Sequence, residues 1–245
     1  MVRSRIAASA VLGLSLLTAS TAWALKSGDN FVAVGAAYVS PDISADSLSY
    51  AGNVVLPGPT LLPGPLPIQS PSASSTTTGA LILGHMYTDQ LGIVLDVGFP
   101  PKTNLSMGQT VLTGGVVKEL GSVKLWSPML VGRYYFLDAA SAFRPYLGAG
   151  ITYTDFKSLS LNSVGQSLAP NGASIDSAWG WVASAGFNYD FKDTPYFLTG
   201  SLTYVETKTT LHINNLVDPA PVGPSSTTNL KLANTIGFFG VGYRF

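Results

Sequence analysis

The sequence contains no cysteine. That excludes disulfide staples, thiolate metal sites and cysteine nucleophiles together, and leaves stability to the backbone and its surroundings. Charge is also scarce: 13 basic and 13 acidic residues make up 11% of the 245, where a soluble domain carries about 25%. The formal net charge is zero, so there is no basic footprint for nucleic acid. Histidine occurs only as His85 and His212. Neither stands in a nucleophile motif or at a paired metal-ligand spacing, and hydrolysis would need a histidine beside an oriented serine. The expectation is a protein without catalytic residues, metal or cofactor. Long apolar runs are missing too. Hydrophobic types reach 46%, yet beyond the first 24 residues no segment is a clean run of the about 20 that a spanning helix requires.

High apolarity, little charge and no spanning helix make an odd soluble protein but a normal membrane β-barrel, in which only alternate residues of a strand face lipid. The amino-terminal end agrees with export. Arg3 and Arg5 precede a short apolar stretch over 6–17, and Ala22-Trp23-Ala24 places small residues where a signal peptidase reads them. Residues 1–24 are therefore expected to be a cleavable signal peptide, and 25–245 one barrel domain.

Period-two alternation recurs along the rest of the chain. Leu91, Ile93, Leu95, Val97 and Phe99 alternate with Gly92, Val94, Asp96 and Gly98. Leu147, Ala149, Ile151 and Tyr153 alternate with Gly148, Gly150 and Thr152, and Phe239, Val241, Tyr243 and Phe245 with Gly240, Gly242 and Arg244. The first set in each case suits lipid and the second, small or polar, suits a lumen. Extended along the chain, this predicts eight strands near 30–40, 76–88, 91–100, 124–136, 143–157, 177–191, 195–210 and 231–245. Connections at 88–90, 137–142 and 191–194 are short, whereas 41–75, 101–123, 158–176 and 211–230 are long and rich in Gly, Pro, Ser and Asn. Strict alternation of the two kinds is the asymmetry of an outer-membrane barrel with tight periplasmic turns and long extracellular loops. Aromatics (Tyr134, Tyr135, Phe136, Phe143, Tyr146, Phe187, Tyr189, Tyr196, Phe197, Tyr243, Phe245) gather beside the short turns, where a girdle would straddle lipid and water.

The run Trp126-Ser127-Pro128-Met129-Leu130-Val131-Gly132-Arg133-Tyr134-Tyr135-Phe136, followed by Phe143-Arg144-Pro145-Tyr146-Leu147-Gly148-Ala149-Gly150-Ile151-Thr152-Tyr153-Thr154-Asp155-Phe156, resembles the OmpW/AlkL family. Ser177-Ala178-Trp179-Gly180 and the ending Gly242-Tyr243-Arg244-Phe245 match the same family's sixth and eighth strands. The resemblance implies an all-β fold, an eight-stranded antiparallel transmembrane β-barrel in the bacterial outer membrane. It also implies a narrow hydrophobic interior that passes small apolar molecules inward with sideways release. The chain departs from the family where two prolines often stand together, having Ser127-Pro128 instead.

Several residues become candidates on this reading. Pro128 cannot donate to a ladder; it either opens the wall sideways or begins a strand above the membrane. Residues 54–68 are greasy but hold five prolines, which block a helix. Leu56, Leu61, Leu62, Leu66 and Ile68 there either form an apolar entrance or belong to a stiff cap. Asp96, Arg133 and Arg144 fall on the inward face and predict an interior polar plug, since an arginine facing lipid at the midplane costs roughly 2–4 kcal/mol. Val241, Tyr243 and Phe245 make an outward terminal pattern expected to signal to the barrel assembly machinery. Partners implied are outer-membrane lipid, that machinery and small apolar solutes. The competing function is a surface-binding or structural barrel whose long loops engage partners, as an adhesin or a phage or colicin receptor does.

Overall fold

Side chains that alternate at period two require extended backbone with unlike surroundings on its two faces, and the described residues are extended almost throughout. The computed structural model describes residues 25–46, 49–50, 54–55, 61–62, 71–100, 102–108, 118–169, 171–214 and 226–245. The principal strands are β1 (Asn30–Ala45), β2 (Thr76–Met86), β3 (Leu91–Gly98), β4 (Lys102–Met107), β5 (Lys118–Trp126), β6 (Met129–Tyr135), β7 (Phe143–Leu161), β8 (Ala178–Asp190), β9 (Tyr196–Ile213) and β10 (Ser226–Arg244). One short helix, α1 (Ser163–Leu168), follows β7.

Eight strands close a ring in the order β1-β2-β3-β6-β7-β8-β9-β10, every neighbour antiparallel. The last strand pairs back onto the first, from Phe31↔Arg244 to Ala45↔Leu230. Closure leaves no free edge in hydrocarbon, where an unpaired peptide group costs several kcal/mol. The remaining pair, β4 and β5, forms a hairpin that docks on the loop end of β7 through Asp155↔Trp126, Phe156↔Leu125 and Lys157↔Lys124.

The structure departs from the predicted strands at the long-loop end. Strands expected to stop near 40, 157 and 210 continue to Ala45, Leu161 and Ile213, and the last begins at Ser226 instead of 231. The wall expected over 124–136 is split at Ser127-Pro128, and β4 occupies part of a segment expected to be loop. The physical reason is that alternation persists beyond the membrane with its sense reversed. In the turn-side half, outward positions are apolar (Leu83, Leu95, Leu147, Leu202, Val241) while the inward ones include Arg133, Asn188 and Thr199. Further along the same strands, Asp42, Lys124, Lys157, Glu206 and Lys208 alternate with Ile43, Leu125, Phe156, Val205 and Leu211, and the latter face a cavity. Ser158, at φ 55°, makes this possible on β7. Its left-handed backbone is a bulge, marked by the register shift between Lys157 and Ser160, that keeps Leu159 and Leu161 facing inward after the count of residues slips by one.

Two exposed aromatic belts mark the lipid band. Tyr134, Phe136, Phe143, Tyr189, Tyr196 and Phe245 ring the turn end, as expected. The second belt, Tyr38, Phe99, Trp126, Tyr153, Trp179 and Trp181, rings the loop end. Ten residues separate Phe143 from Tyr153 and Trp179 from Tyr189. At about 3.4 Å per residue and a tilt of about 40° this is roughly 26 Å, the height of an outer-membrane apolar band. Three expected members of the first belt lie inside instead: Tyr135, Tyr146 and Phe197 are fully buried.

Candidate functional site

The barrel interior has a filled base and a hollow top. Glycines on the inward face let large rings in. A Cβ at Gly84 would lie 2.1 Å from the Phe31 ring, and one at Gly242 would lie 2.1 Å from the Phe197 ring. Those two rings meet edge to face at 5.7 Å, and Met86 and Leu25, both wholly buried, pack into the same base.

Above these rings sits a polar layer. Asp96 and Arg133 form an ion pair at 3.0 Å with side chains 13% and 2% exposed. Arg133 also lies 4.6 Å over the Tyr146 ring, and Arg144 lies 4.8 Å over Tyr135. Each cation is thus held against an aromatic face that partly replaces its lost hydration. Arg144 donates to the carbonyls of Leu25, at 2.5 Å, and of Asp89. Sequence parity puts Asp96, Arg133 and Arg144 on the inward face, and the structure joins the Asp96–Arg133 pair at the cavity floor to Arg144 at the base through the Tyr135 and Tyr146 rings, 5.2 Å apart. It adds Asp190, whose carboxylate is 2.6 Å from Arg244, and Asn188, which donates to the Tyr135 hydroxyl at 3.4 Å. Asp190 carries no signal in the sequence beyond its parity, because its partner is a whole strand pair away. Residues 25–29 finish the seal: Gly28 N–H donates to Met86 O at 2.8 Å and Ser27 N–H to Asp89 Oδ1 at 2.8 Å.

Over this base the lumen opens into a cavity of about 250 Å³. Ile43, Ile82, Leu125, Phe156, Leu159, Val205, Leu211, Leu232 and Phe238 line it, with Asp96, Ser201, Thr203 and Asn234 among its few polar contacts. Helix α1 covers one side. Its N-cap Asn162 accepts from Gly165 N–H at 2.9 Å and donates through Nδ2 to Glu119 O at 2.7 Å, which fastens the turn to β5.

Among the described residues the wall of this cavity is interrupted beside Pro128. Between β3 and β6 the last paired rung is Met129↔Asp96; between β4 and β5 the next is Lys102↔Lys124. Among the described residues no hydrogen bond joins the intervening stretches, 97–101 and 125–128. One flank follows β2, through Phe99 N–H to Gly79 O at 2.9 Å and Thr78 Oγ1 to Phe99 O at 2.9 Å. The other follows β7: Pro128 O accepts from Thr152 Oγ1 at 3.0 Å, and Ser127 Oγ donates to Thr154 Oγ1 at 3.0 Å. Pro100 and Pro128 have no amide proton to offer across the break. Val97, Gly98, Phe99, Leu125, Ser127 and Met129 border both the break and the cavity. Phe99 and Trp126, 70% and 41% exposed, put it at the loop-side edge of the lipid band.

Other predicted residues lie elsewhere. Val241, Tyr243 and Phe245 face outward at the turn end, and Tyr243 stacks on Phe245 at 6.3 Å. Leu61 and Leu62 form a two-residue ladder with Val54 and Val55, whereas Leu56, Leu66 and Ile68 lie outside the described residues. His85 contacts Asn30 Oδ1 at 3.0 Å, and His212 pairs with Asp176 at 2.9 Å on the exposed wall. Neither histidine borders the cavity.

Comparison with known proteins agrees with this geometry. A model of the OmpW family matches residues 26–245. Outer membrane protein W of Vibrio cholerae is 29% identical over 235 residues, covering 95% of each chain. The crystal structure of outer membrane protein OprG from Pseudomonas aeruginosa superposes with a TM-score of 0.73 at 24% identity, over 91% of this chain and 98% of that one. A shorter match, 29% identical over 127 residues, is to the dibenzothiophene metabolism operon protein PahQ of Pseudomonas aeruginosa; it spans 49% of this chain and 58% of that protein.

Proposed function

Because the chain belongs to the OmpW family, and so is an eight-stranded barrel of the bacterial outer membrane, we propose that it admits small hydrophobic molecules from outside and releases them sideways into the bilayer. One observation carries the reading: a single cavity has an apolar lining, a sealed base and an interrupted side. A solute entering from water gains roughly 25 cal/mol for each Å² of apolar surface it hides. The Asp96–Arg133 layer and the rings beneath it block descent along the axis, since nothing passes a filled eight-stranded interior. The break beside Pro128 is then the exit, and it leads from one apolar environment to another.

Cargo size follows from the cavity. A 150 Å³ apolar cavity accepts benzene, and drug-sized ligands need about 300–1,000 Å³. A volume of about 250 Å³ therefore suits one- or two-ring aromatics and short hydrocarbons. The relative named for dibenzothiophene metabolism supports that solute class. Residues 54–68, with Leu56, Leu61, Leu62, Leu66 and Ile68, make the apolar mouth in this reading. Val241, Tyr243 and Phe245 serve assembly of the barrel, residues 1–24 serve export, and no chemical step is involved.

The absence of native cysteine makes a clean test available. With Gly98→Cys and Ser127→Cys, a short bis-maleimide would link the two flanks of the break. Uptake of a naphthalene-type solute by cells carrying the linked pair should fall to the level of cells lacking the protein, while either single variant, capped with maleimide, keeps its uptake. Undiminished uptake through the linked pair would exclude the lateral route.

A further inference from the structure

Beyond the loop-side aromatic belt the outward wall becomes charged, but unevenly. On β4, β5 and β7, Lys102, Lys124 and Lys157 stand directly opposite one another in register, Lys102↔Lys124 and Lys124↔Lys157. All three are exposed. Like charges facing each other across a sheet repel and destabilise the pairing, so the row needs a compensating anion. The carboxylate that touches it is Asp155, 2.5 Å from Lys157 Nζ and also accepting from Ser177 Oγ at 3.1 Å. The hydrogen bond from Lys157 holds Asp155 below the usual carboxylate range, so it stays ionised. Lys102 and Lys124 have no ion pair among the described residues. Three ammonium groups against one carboxylate leave the row cationic.

A second lysine pair offers the contrast. Lys208↔Lys231 is also opposed in register, but Glu206 lies 3.0 Å from Lys231 and Asp42 is on the neighbouring strand. Two carboxylates answer two ammonium groups there. Of the two opposed lysine clusters, the one on β4, β5 and β7 is thus the unbalanced one, and it has a defined depth. Lys124 is two residues beyond Trp126 on the same face of β5, about 7 Å along the strand. Trp126 belongs to the belt at the lipid–water boundary, so the row lies at headgroup depth, where lysine stems extend toward the polar layer. Lys102↔Lys124 is also the first rung beyond the break in the wall.

We propose that Lys102, Lys124 and Lys157 form a binding row for the phosphate groups of an outer-leaflet lipid, held so that its acyl chains lie beside the break next to Pro128. An ammonium point charge is suited to phosphate, and three in line match a headgroup carrying more than one. The row acts whether or not a solute leaves by the break, so its failure and the failure of the transport reading are separable.

The full chain, folded in detergent, would be titrated with bis-phosphorylated lipid A and bound lipid counted by native mass spectrometry. Dephosphorylated lipid A and inorganic phosphate would run as parallel arms. Lys102→Gln with Lys124→Gln should weaken lipid A binding by about tenfold or more, and the Lys→Arg pair at the same positions should retain it. Lys208→Gln with Lys231→Gln should leave it unchanged. Equal losses in both glutamine pairs, no loss in either, or equal binding of dephosphorylated lipid would each overturn the proposal. Displacement of lipid A by millimolar inorganic phosphate would mean a free-anion site and would overturn it too.

Discussion

The two halves of this barrel use the same strands with opposite polarity. On β9, Leu198 and Leu202 look outward while Thr199 and Thr203 look in; a few residues later Glu206 and Lys208 look outward while Val205 and Leu211 look in. The backbone does not change across that boundary. What changes is the medium outside: lipid around the turn-side half, water around the loop-side half. In the first, polar groups gather in the lumen because they have nowhere else to go. In the second, water takes them, and the lumen is free to be apolar. A hydrophobic cavity above a charged floor is the outcome.

Three perturbations should strain this contrast, in decreasing order. Asp96→Ala removes one partner of the buried ion pair and leaves Arg133 uncompensated. It should cost about 3–5 kcal/mol in reversible urea unfolding, whereas Asp96→Leu with Arg133→Met should recover most of that loss. A single loss as small as that of a surface change would mean water reaches the floor. Next comes the outer face near the band's midplane. Leu147→Arg there should destabilise by about 2–4 kcal/mol, while Lys208→Leu in the loop-side half should stay within about 0.5 kcal/mol. Equal effects would erase the boundary drawn between the belts. Smallest is a pH effect at the exposed Asp155–Lys157 pair. Asp155 has its carboxyl held low by the hydrogen bond from Lys157. Its contribution is therefore present above the ordinary aspartate range and disappears as pH falls through the depressed value. Between pH 7 and pH 3 the wild-type melting temperature should drop slightly more than that of Asp155→Asn. An identical drop would deny the pair any role.

Much of this was legible in the residues. Leu147, Ala149, Ile151 and Tyr153 against Gly148, Gly150 and Thr152 define the facing of β7 unaided, and the same parity put Asp96, Arg133 and Arg144 inward. Parity outperformed residue type: Tyr135, Tyr146 and Phe197 look like belt residues by chemistry, yet they alternate with the true belt and so point inside. The loop-side extensions were hidden because there an apolar residue means lumen, the reverse of its meaning below. Ser158 hid them further, since a bulge resets the count and makes Leu159 and Leu161 look out of phase. The Pro128 break was half visible. Proline announces a missing donor, but only the pairing of Met129 with Asp96 and of Lys124 with Lys102 delimits the opening.

Joining Phe31 to Arg244 has a temporal consequence as well. The ring's final seam ties together the two extremes of the described chain, so no smaller cylinder exists on the way to the whole one, and contacts this remote in sequence are slow to form. A product stopped before its last strand would carry two raw, sticky borders, making completion of synthesis a precondition for safe insertion.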